Sequence, residues 1–375
     1  LALTLKALNL WFDLIVWQLH GINYCKMERY VKKILFTVGS YNQVTQMHAI
    51  ASHLPEYDCY FSQFYSDNFV LQSLVKAGAA DHTILSGGFK NSSDRYLQQN
   101  GLKNDYQQLV YNNHYDLAVV CSDLLVPKSI RKTKTVWVQE GMTDRLTPWS
   151  KVVKWLDMPR YWAFNTSLNG TSDLCDIYCV ASEGYKDYFK KLGTDPAKLI
   201  VTGMPNFDNV EAFAHNSFPH RHFVLVATSD IRECTGIENR PQFIRKCVAI
   251  ANGRQLIFKL HPNERKERAL REIRENAPEA LVYTDGNINH MIFHCEELIT
   301  QYSTVVYVGI ALGKKVHSFF DVDDLRKKAP IQNGGRSAEH IAEVCRRYIE
   351  TKKSKQQFLT QELPTVEASY QKIAC

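Results

Sequence analysis

Short apolar runs, each stopping at a polar or glycine-bearing turn, alternate along this chain with segments whose apolar residues recur at helical spacing. Lys32–Val38 is the first such run. It ends at Gly39-Ser40-Tyr41-Asn42 and is followed by Val44, Met47, Ile50, Ala51 and Leu54 at helical intervals. Tyr57–Tyr65 gives an aromatic strand-like run, and Asp116–Cys121 ends at Ser122-Asp123. Thr135–Val138 ends at Gln139-Glu140-Gly141, and Asp176–Val180 and Leu199–Thr202 continue the series. A second alternation begins after the histidine-bearing segment 212–222. Phe223–Ala227 ends at Thr228-Ser229-Asp230, Leu256–Leu260 at His261-Pro262-Asn263, and Glu297–Thr300 at Gln301-Tyr302-Ser303-Thr304. Lys315–Phe319, ending at Asp321, and two closing helices over 338–351 and 356–375 complete the pattern.

Runs without polar alternation fit parallel strands covered on both faces. Two successive blocks of them predict an α/β fold of two doubly wound, Rossmann-like domains facing across a cleft. The expected divisions are an appendage at 1–26, a first Rossmann-like domain at 27–214, a second at 215–355, and a C-terminal helix at 356–375 that packs back on the first domain. Between Met142 and Asn169, tryptophan, proline and basic residues predict a long loop carrying a short helix.

A length of 375 residues agrees with two domains, and 45% hydrophobic with 22% charged residues describes an ordinary globular chain. The formal charge of +6 suits anionic ligands or an anionic membrane surface and is too small to imply nucleic acid. Ten scattered cysteines, with Cys175 and Cys179 the only close pair, fit reduced thiols of a cytoplasmic protein better than a zinc site or a disulfide scaffold. Leu1–Tyr24 is apolar but broken by Lys6, Asp13 and His20. It reads as an appendage before Met27 or as an amphipathic helix lying on the inner face of a membrane, not as a span.

The ends of parallel strands border the crevice where such sheets bind ligands. The polar groups there are Asp123, Glu140, Thr228, His261 with Pro262, and Ser303-Thr304, with Gly39, Tyr41, Asn42, Gly141 and Arg145 on the first domain's side of the cleft. Ser303-Thr304 before a helix offers hydroxyls and free amides to a phosphate, and equally reads as a helix cap. His261 can donate to that phosphate; the bland alternative is a loop histidine. Glu140 can take a proton from an attacking hydroxyl, or can be a loop carboxylate bonded to backbone. His290 and His294 lack a third ligand at metal spacing, and Asp321 with Asp323-Asp324 reads as a helix-capping turn or, less readily, as an acidic metal site.

Taken in order, Phe36-Thr37-Val38-Gly39, Val138-Gln139-Glu140-Gly141, Val201-Thr202-Gly203-Met204-Pro205, Lys259-Leu260-His261-Pro262-Asn263 and Ile299-Thr300-Gln301-Tyr302-Ser303-Thr304 resemble the GT-B superfamily. The nearest branches are the UDP-N-acetylglucosamine 2-epimerases and the bacterial sialyltransferases and glycerophosphotransferases with a His-Pro motif. The epimerase pattern has Asp-Ser-Gly-Gly where Gln301-Tyr302-Ser303-Thr304 stands here, and an arginine where Ser40-Tyr41-Asn42 stands. The sialyltransferase-like set matches Glu140-Gly141, His261-Pro262 and Ser303-Thr304 better, with Gln139 in place of its first acid.

The resemblance implies a metal-independent glycosyltransferase without cofactor. Glu140 would be the base, His261 the residue on the donor phosphate, and Thr228, Pro262, Ser303 and Thr304 its surroundings. Its partners would be a UDP- or CMP-linked sugar donor and a glycan or glycolipid acceptor of bacterial capsule or lipopolysaccharide synthesis, with no nucleic acid. It would work in the cytoplasm or peripherally at the inner membrane. The alternatives are an epimerase-like enzyme, a CDP-alditol phosphotransferase, and a non-catalytic nucleotide- or glycan-binding module.

Overall fold

Among the described residues of the computed structural model all strand pairings are parallel, and they form two sheets. The structure describes residues 30–78, 85–105, 114–234 and 238–371, so the expectations for the N-terminal appendage and for 372–375 lie outside the described residues. The first sheet contains β1 (Lys33–Thr37), β2 (Asp58–Ser62), β3 (Leu117–Val120), β4 (Lys134–Val138), β5 (Ile177–Val180) and β6 (Leu199–Val201) in the order β2-β1-β3-β4-β5-β6. The second contains β7 (Val224–Ala227), β8 (Leu256–Lys259), β9 (Leu281–Tyr283), β10 (Glu297–Thr300) and β11 (Lys315–His317) in the order β11-β10-β7-β8-β9.

Strands β3, β5 and β7 are buried along their whole length, as two-faced coverage requires. In each sheet the chain reverses its direction of growth once, between β1 and β3 and between β7 and β10. Side chains after the C-terminal ends of those strands border the ligand crevice of such a sheet. Gly39, Asp123, Thr228 and Ser303 are therefore placed by topology before any contact is considered.

One apolar cluster runs through both halves, from Leu35, Trp137 and Tyr178 to Leu225, Leu298 and Tyr307. At the junction the Tyr185 and Tyr307 hydroxyls, both buried, lie 2.7 Å apart. Ser182 donates to the Lys328 carbonyl at 3.0 Å, and the Ile331 amide donates to the Ala181 carbonyl at 3.0 Å. Gly184 sits where an added Cβ would fall 1.9 Å from the Lys327 carbonyl oxygen, so no larger residue fits the junction as it stands.

The helix Ser337–Glu350, placed with the second half by sequence order, buries Ile341, Ala342, Val344 and Cys345 among Ile34, Val119, Val136 and Ile200 of the first sheet. An amphipathic stripe dictates that a helix be covered, not which sheet covers it. The closing segment Leu363–Gln371 follows a five-residue π-helical turn, Phe358–Glu362, and Leu363 and Val366 join the same cluster.

Candidate active site

Glu140 immediately follows Gln139, whose side chain is a buried strut. Its amide donates to the Gly141 carbonyl at 3.0 Å, and its carbonyl accepts from the Ala181 amide at 2.9 Å. Those bonds fix the loop that carries Glu140. The Glu140 carboxylate accepts from Gln43 Nε2 at 2.5 Å, and the Glu140 carbonyl accepts from Asn42 Nδ2 at 3.4 Å. Gln43 is itself held by the buried Tyr65 hydroxyl, which donates to its Oε1 at 2.9 Å.

Ser40 caps the helix Tyr41–Ala51 by accepting from the Gln43 amide, which sets Asn42 and Gln43 on the side of Glu140. Glu140 keeps some accessible surface, yet dense surrounding protein desolvates its carboxylate and pushes its pKa above the ordinary range. Hydrogen bonds from Gln43, Asn42 and Ser40 pull the other way without cancelling that effect.

Directly across lies the turn after β10. The Met142 amide donates to Thr304 Oγ1 at 3.4 Å, and an added Cβ on Gly141 would fall 2.8 Å from the same oxygen. Arg145 reaches further, donating to the Phe319 carbonyl and lying 5.0 Å over the Phe320 ring. The loop after β4 and the turns after β10 and β11 therefore meet.

Neither Ser303 nor Thr304 caps a helix with its side chain. The helix Val306–Ala311 begins later, with its first turns bonded to the Ser303 and Thr304 carbonyls. The sequence expectation of a helix opening at Ser303-Thr304 is corrected accordingly. What the pair offers is hydroxyls on a partly exposed turn, without the dipole of a long helix behind them.

His261 stands two residues past β8, where the last ladder bond runs from the Leu260 amide to the Tyr283 carbonyl, and Pro262, without an N–H, cannot resume the ladder. The loop is fastened from below. The His261 amide donates to Thr228 Oγ1 and to Glu264 Oε2, each at 3.0 Å, and the Glu264 amide donates back to the His261 carbonyl at 3.1 Å. His261 Nδ1 accepts from the Asn263 amide at 3.3 Å and lies 3.7 Å from Asp230. With Nδ1 accepting, the neutral ring carries its proton on Nε2.

Beneath this loop a buried charged network runs to the end of β10. Glu264 pairs with Arg240 at 2.5 Å, Arg240 with Glu238 at 2.9 Å, and Glu238 accepts from Gln301 at 2.5 Å. Ser229 closes the circuit by donating to Gln301 at 3.0 Å. The ends of β7, β8 and β10 are thereby one braced unit.

Among the expected site residues, Glu140, Gly141, Asn42 and Thr304 are brought together at the cleft, with Arg145 beside Phe319 and Phe320. Gly39 is buried below them, and Tyr41 is exposed at the helix start. Thr228 is buried and fully engaged under the His261 loop, bonded to Glu264 and the Lys259 carbonyl. Asp123 is also buried, its carboxylate accepting from Gly170 at 2.6 Å, from Ser172 at 2.9 and 2.8 Å, and from Tyr178 at 3.2 Å. Burial pushes its pKa up against those bonds. Both side chains brace loops.

Asp321 caps the helix Val322–Lys328, as its sequence setting indicates. Among the described residues no three His, Cys, Asp or Glu side chains converge as metal ligands would. Gln43, Tyr65, Glu264 and Arg240 were not singled out by sequence. Only Gln43, in the first turn of a helix opening on the cleft, carried a positional signal.

No family model and no curated protein matches the chain. Solved structures do. A candidate UDP-N-acetylglucosamine 2-epimerase from Listeria monocytogenes superposes with a TM-score of 0.56 at 13% identity, over 87% of this chain and 98% of that one. The Neisseria meningitidis UDP-GlcNAc 2-epimerase bound to UDP-GlcNAc gives 0.52 at 13% identity, over 84% and 100%. Staphylococcus aureus MnaA with UDP gives 0.52 at 12% identity, over 85% and 97%. At such identities the likeness is one of fold: the chain has the two-domain GT-B architecture, with parallel sheets of six and five strands meeting at a cleft.

Proposed function

We propose that the protein is a nucleotide-sugar-dependent glycosyltransferase. The observation that carries this reading is the meeting of the Glu140-Gly141-Met142 loop with Thr304, which puts a desolvated carboxylate opposite the hydroxyl-bearing turn at the switch point of the second sheet. The solved relatives of this fold bind UDP and UDP-GlcNAc, which supports a nucleotide sugar as the ligand.

Glu140 takes the proton of an acceptor hydroxyl, and the resulting oxygen attacks the anomeric carbon. The bond from that carbon to the donor phosphate breaks, and the phosphate leaves with the electron pair. His261 Nε2 and the Ser303 and Thr304 hydroxyls donate to it. A raised carboxylate pKa makes Glu140 a stronger base than a solvated carboxylate.

Gln43 holds one carboxylate oxygen and aims the other. The first domain also holds a cavity of about 430 Å³ lined by Tyr65, Leu124, Lys128, Arg131, Met158 and Tyr161; Tyr65 links it to Gln43, which supports reading it as room for the remote part of an acceptor. Surface polysaccharide or glycolipid synthesis is the process such an acceptor implies.

Incubation with a panel of nucleotide sugars and glycan acceptors tests this. Free nucleotide together with glycosylated acceptor is the expected outcome. An interconverted nucleotide sugar would identify an epimerase, and tight binding without turnover would identify a binding module; either result sinks the proposal.

A further inference from the structure

We infer that the segment 148–164 is a docking surface for an anionic lipid bilayer. The helix Pro148–Trp155 is held by a capping box between Thr147 and Ser150 and buries Ser150 and Val153 against the domain. Its outer stripe, Trp149, Val152, Trp155 and Leu156, is exposed, and Trp162 and Phe164 extend it. Trp155 and Phe164 are 82% and 84% exposed, so they protrude instead of lining a groove.

Their presentation is built. The Trp149 indole donates to the Trp162 carbonyl at 2.8 Å, Arg160 ties the turn to Asp157 and to the Met158 carbonyl at 3.0 Å each, and Phe164 is held at a φ of 57°. A φ in the left-handed region is strained for a non-glycine residue, so the fold keeps a phenylalanine outward at a conformational cost.

Tryptophans with an apolar body and a polar N–H suit the headgroup boundary of a bilayer. Cations flank them. Lys151 is exposed on the same helix, and Lys154 donates to the Leu192 carbonyl, fastening beside it the helix end that bears exposed Lys190 and Lys191. Protruding aromatics rimmed by lysines match a soft anionic surface better than a second folded chain, which would have to supply pockets for them.

Asn68, which lines the same cavity as Met158 and Tyr161, caps the helix Phe69–Lys76, and that helix exposes Phe69, Val70 and Leu74. Among the described residues no helix is long and apolar enough to cross a membrane, so the contact is with the bilayer surface. The inference does not depend on the reaction proposed above.

Flotation of the full chain with phosphatidylcholine vesicles, with and without phosphatidylglycerol, tests it. Binding is expected only with the anionic lipid and is expected to weaken as salt rises. The variant Trp155→Ser/Phe164→Asn, and separately Lys151→Glu/Lys190→Glu/Lys191→Glu, should each lose about tenfold or more in vesicle partitioning. Because all five positions are exposed, their melting temperatures should stay at the parent's. Variants that float as well as the parent would overturn the inference by placing any binding on another segment. Equal binding to neutral vesicles would overturn it as well, and so would a change in oligomeric state without vesicle binding.

Discussion

Gly141 faces Thr304 so closely that an added Cβ would stand 2.8 Å from Thr304 Oγ1. That approach lets the Met142 amide reach the same oxygen and brings the loop after β4 against the turn after β10. The loop bearing the proposed base and the turn bearing the proposed phosphate donors are set by one small residue.

Gly141→Ala should therefore slow turnover, with little change in melting temperature because the loop itself is braced by Gln139. The loss should be smaller in a Thr304→Ala background, with a coupling of about 0.5–3 kcal/mol in a double-mutant cycle of kcat/KM. Additive effects would separate Gly141 from Thr304.

Glu140→Gln should lower kcat by about 10²–10⁴ if the carboxylate is the base. It should not lower stability at neutral pH. The folded pKa of Glu140 is raised, so the fold binds its proton more tightly than the unfolded chain does, and stability declines as pH rises through the window between the two values. A neutral amide escapes that penalty. Loss of rate with an unchanged or higher melting temperature is the expected pair of results.

Gln43→Leu removes the donor that lowers the Glu140 pKa. The acidic limb of the kcat–pH profile should move to higher pH, because a larger fraction of the carboxyl stays protonated. An unmoved limb would mean that Glu140 is not the group titrating in it.

Glu264 and Arg240 are both almost fully buried and paired at 2.5 Å. Replacing Glu264 with Gln should cost about 1–3 kcal/mol in denaturant unfolding, since the buried Arg240 guanidinium keeps Glu238 but loses one of its two carboxylate partners. Combining it with Arg240→Met should recover part of the loss. The His261 loop hangs from the same carboxylate, so nucleotide affinity should fall with the single change.

Far from the cleft, burial tends to raise the pKa of Glu297, but bonds from His317, Arg254 and Lys315 outweigh it and bring the value to about 2. A depressed carboxylate pKa contributes stability that is present above the ordinary carboxylate value and is lost as pH falls toward 2. Glu297→Gln should flatten that acid-side slope in melting temperature while leaving nucleotide binding intact.

The strands and the polar residues after them were legible because parallel strands covered on both faces read as unbroken apolar runs. His261-Pro262 and Glu140-Gly141 stood out because each ends such a run. The supports of those residues did not, since Gln43 meets Glu140 and Arg240 meets Glu264 through contacts that no local periodicity encodes. Asp123 and Thr228 looked like cleft residues by the same strand-end rule, yet their side chains turn inward to hold loops. The rule locates the end of a strand and leaves side-chain direction to packing. For Ser303-Thr304, a polar pair before an apolar run reads as a cap, whereas the helix starts only at Val306.

The central claim is that a donor phosphate sits between His261 and the Ser303-Thr304 turn. Calorimetric titration of the intact protein with nucleoside mono- and diphosphates, repeated on His261→Ala and Ser303→Ala, tests it most directly. One nucleotide should bind the parent, and each variant should bind it about tenfold or more weakly with melting temperature unchanged, as loss of a hydrogen bond to a charged group entails. Equal affinity across parent and variants would contradict the account.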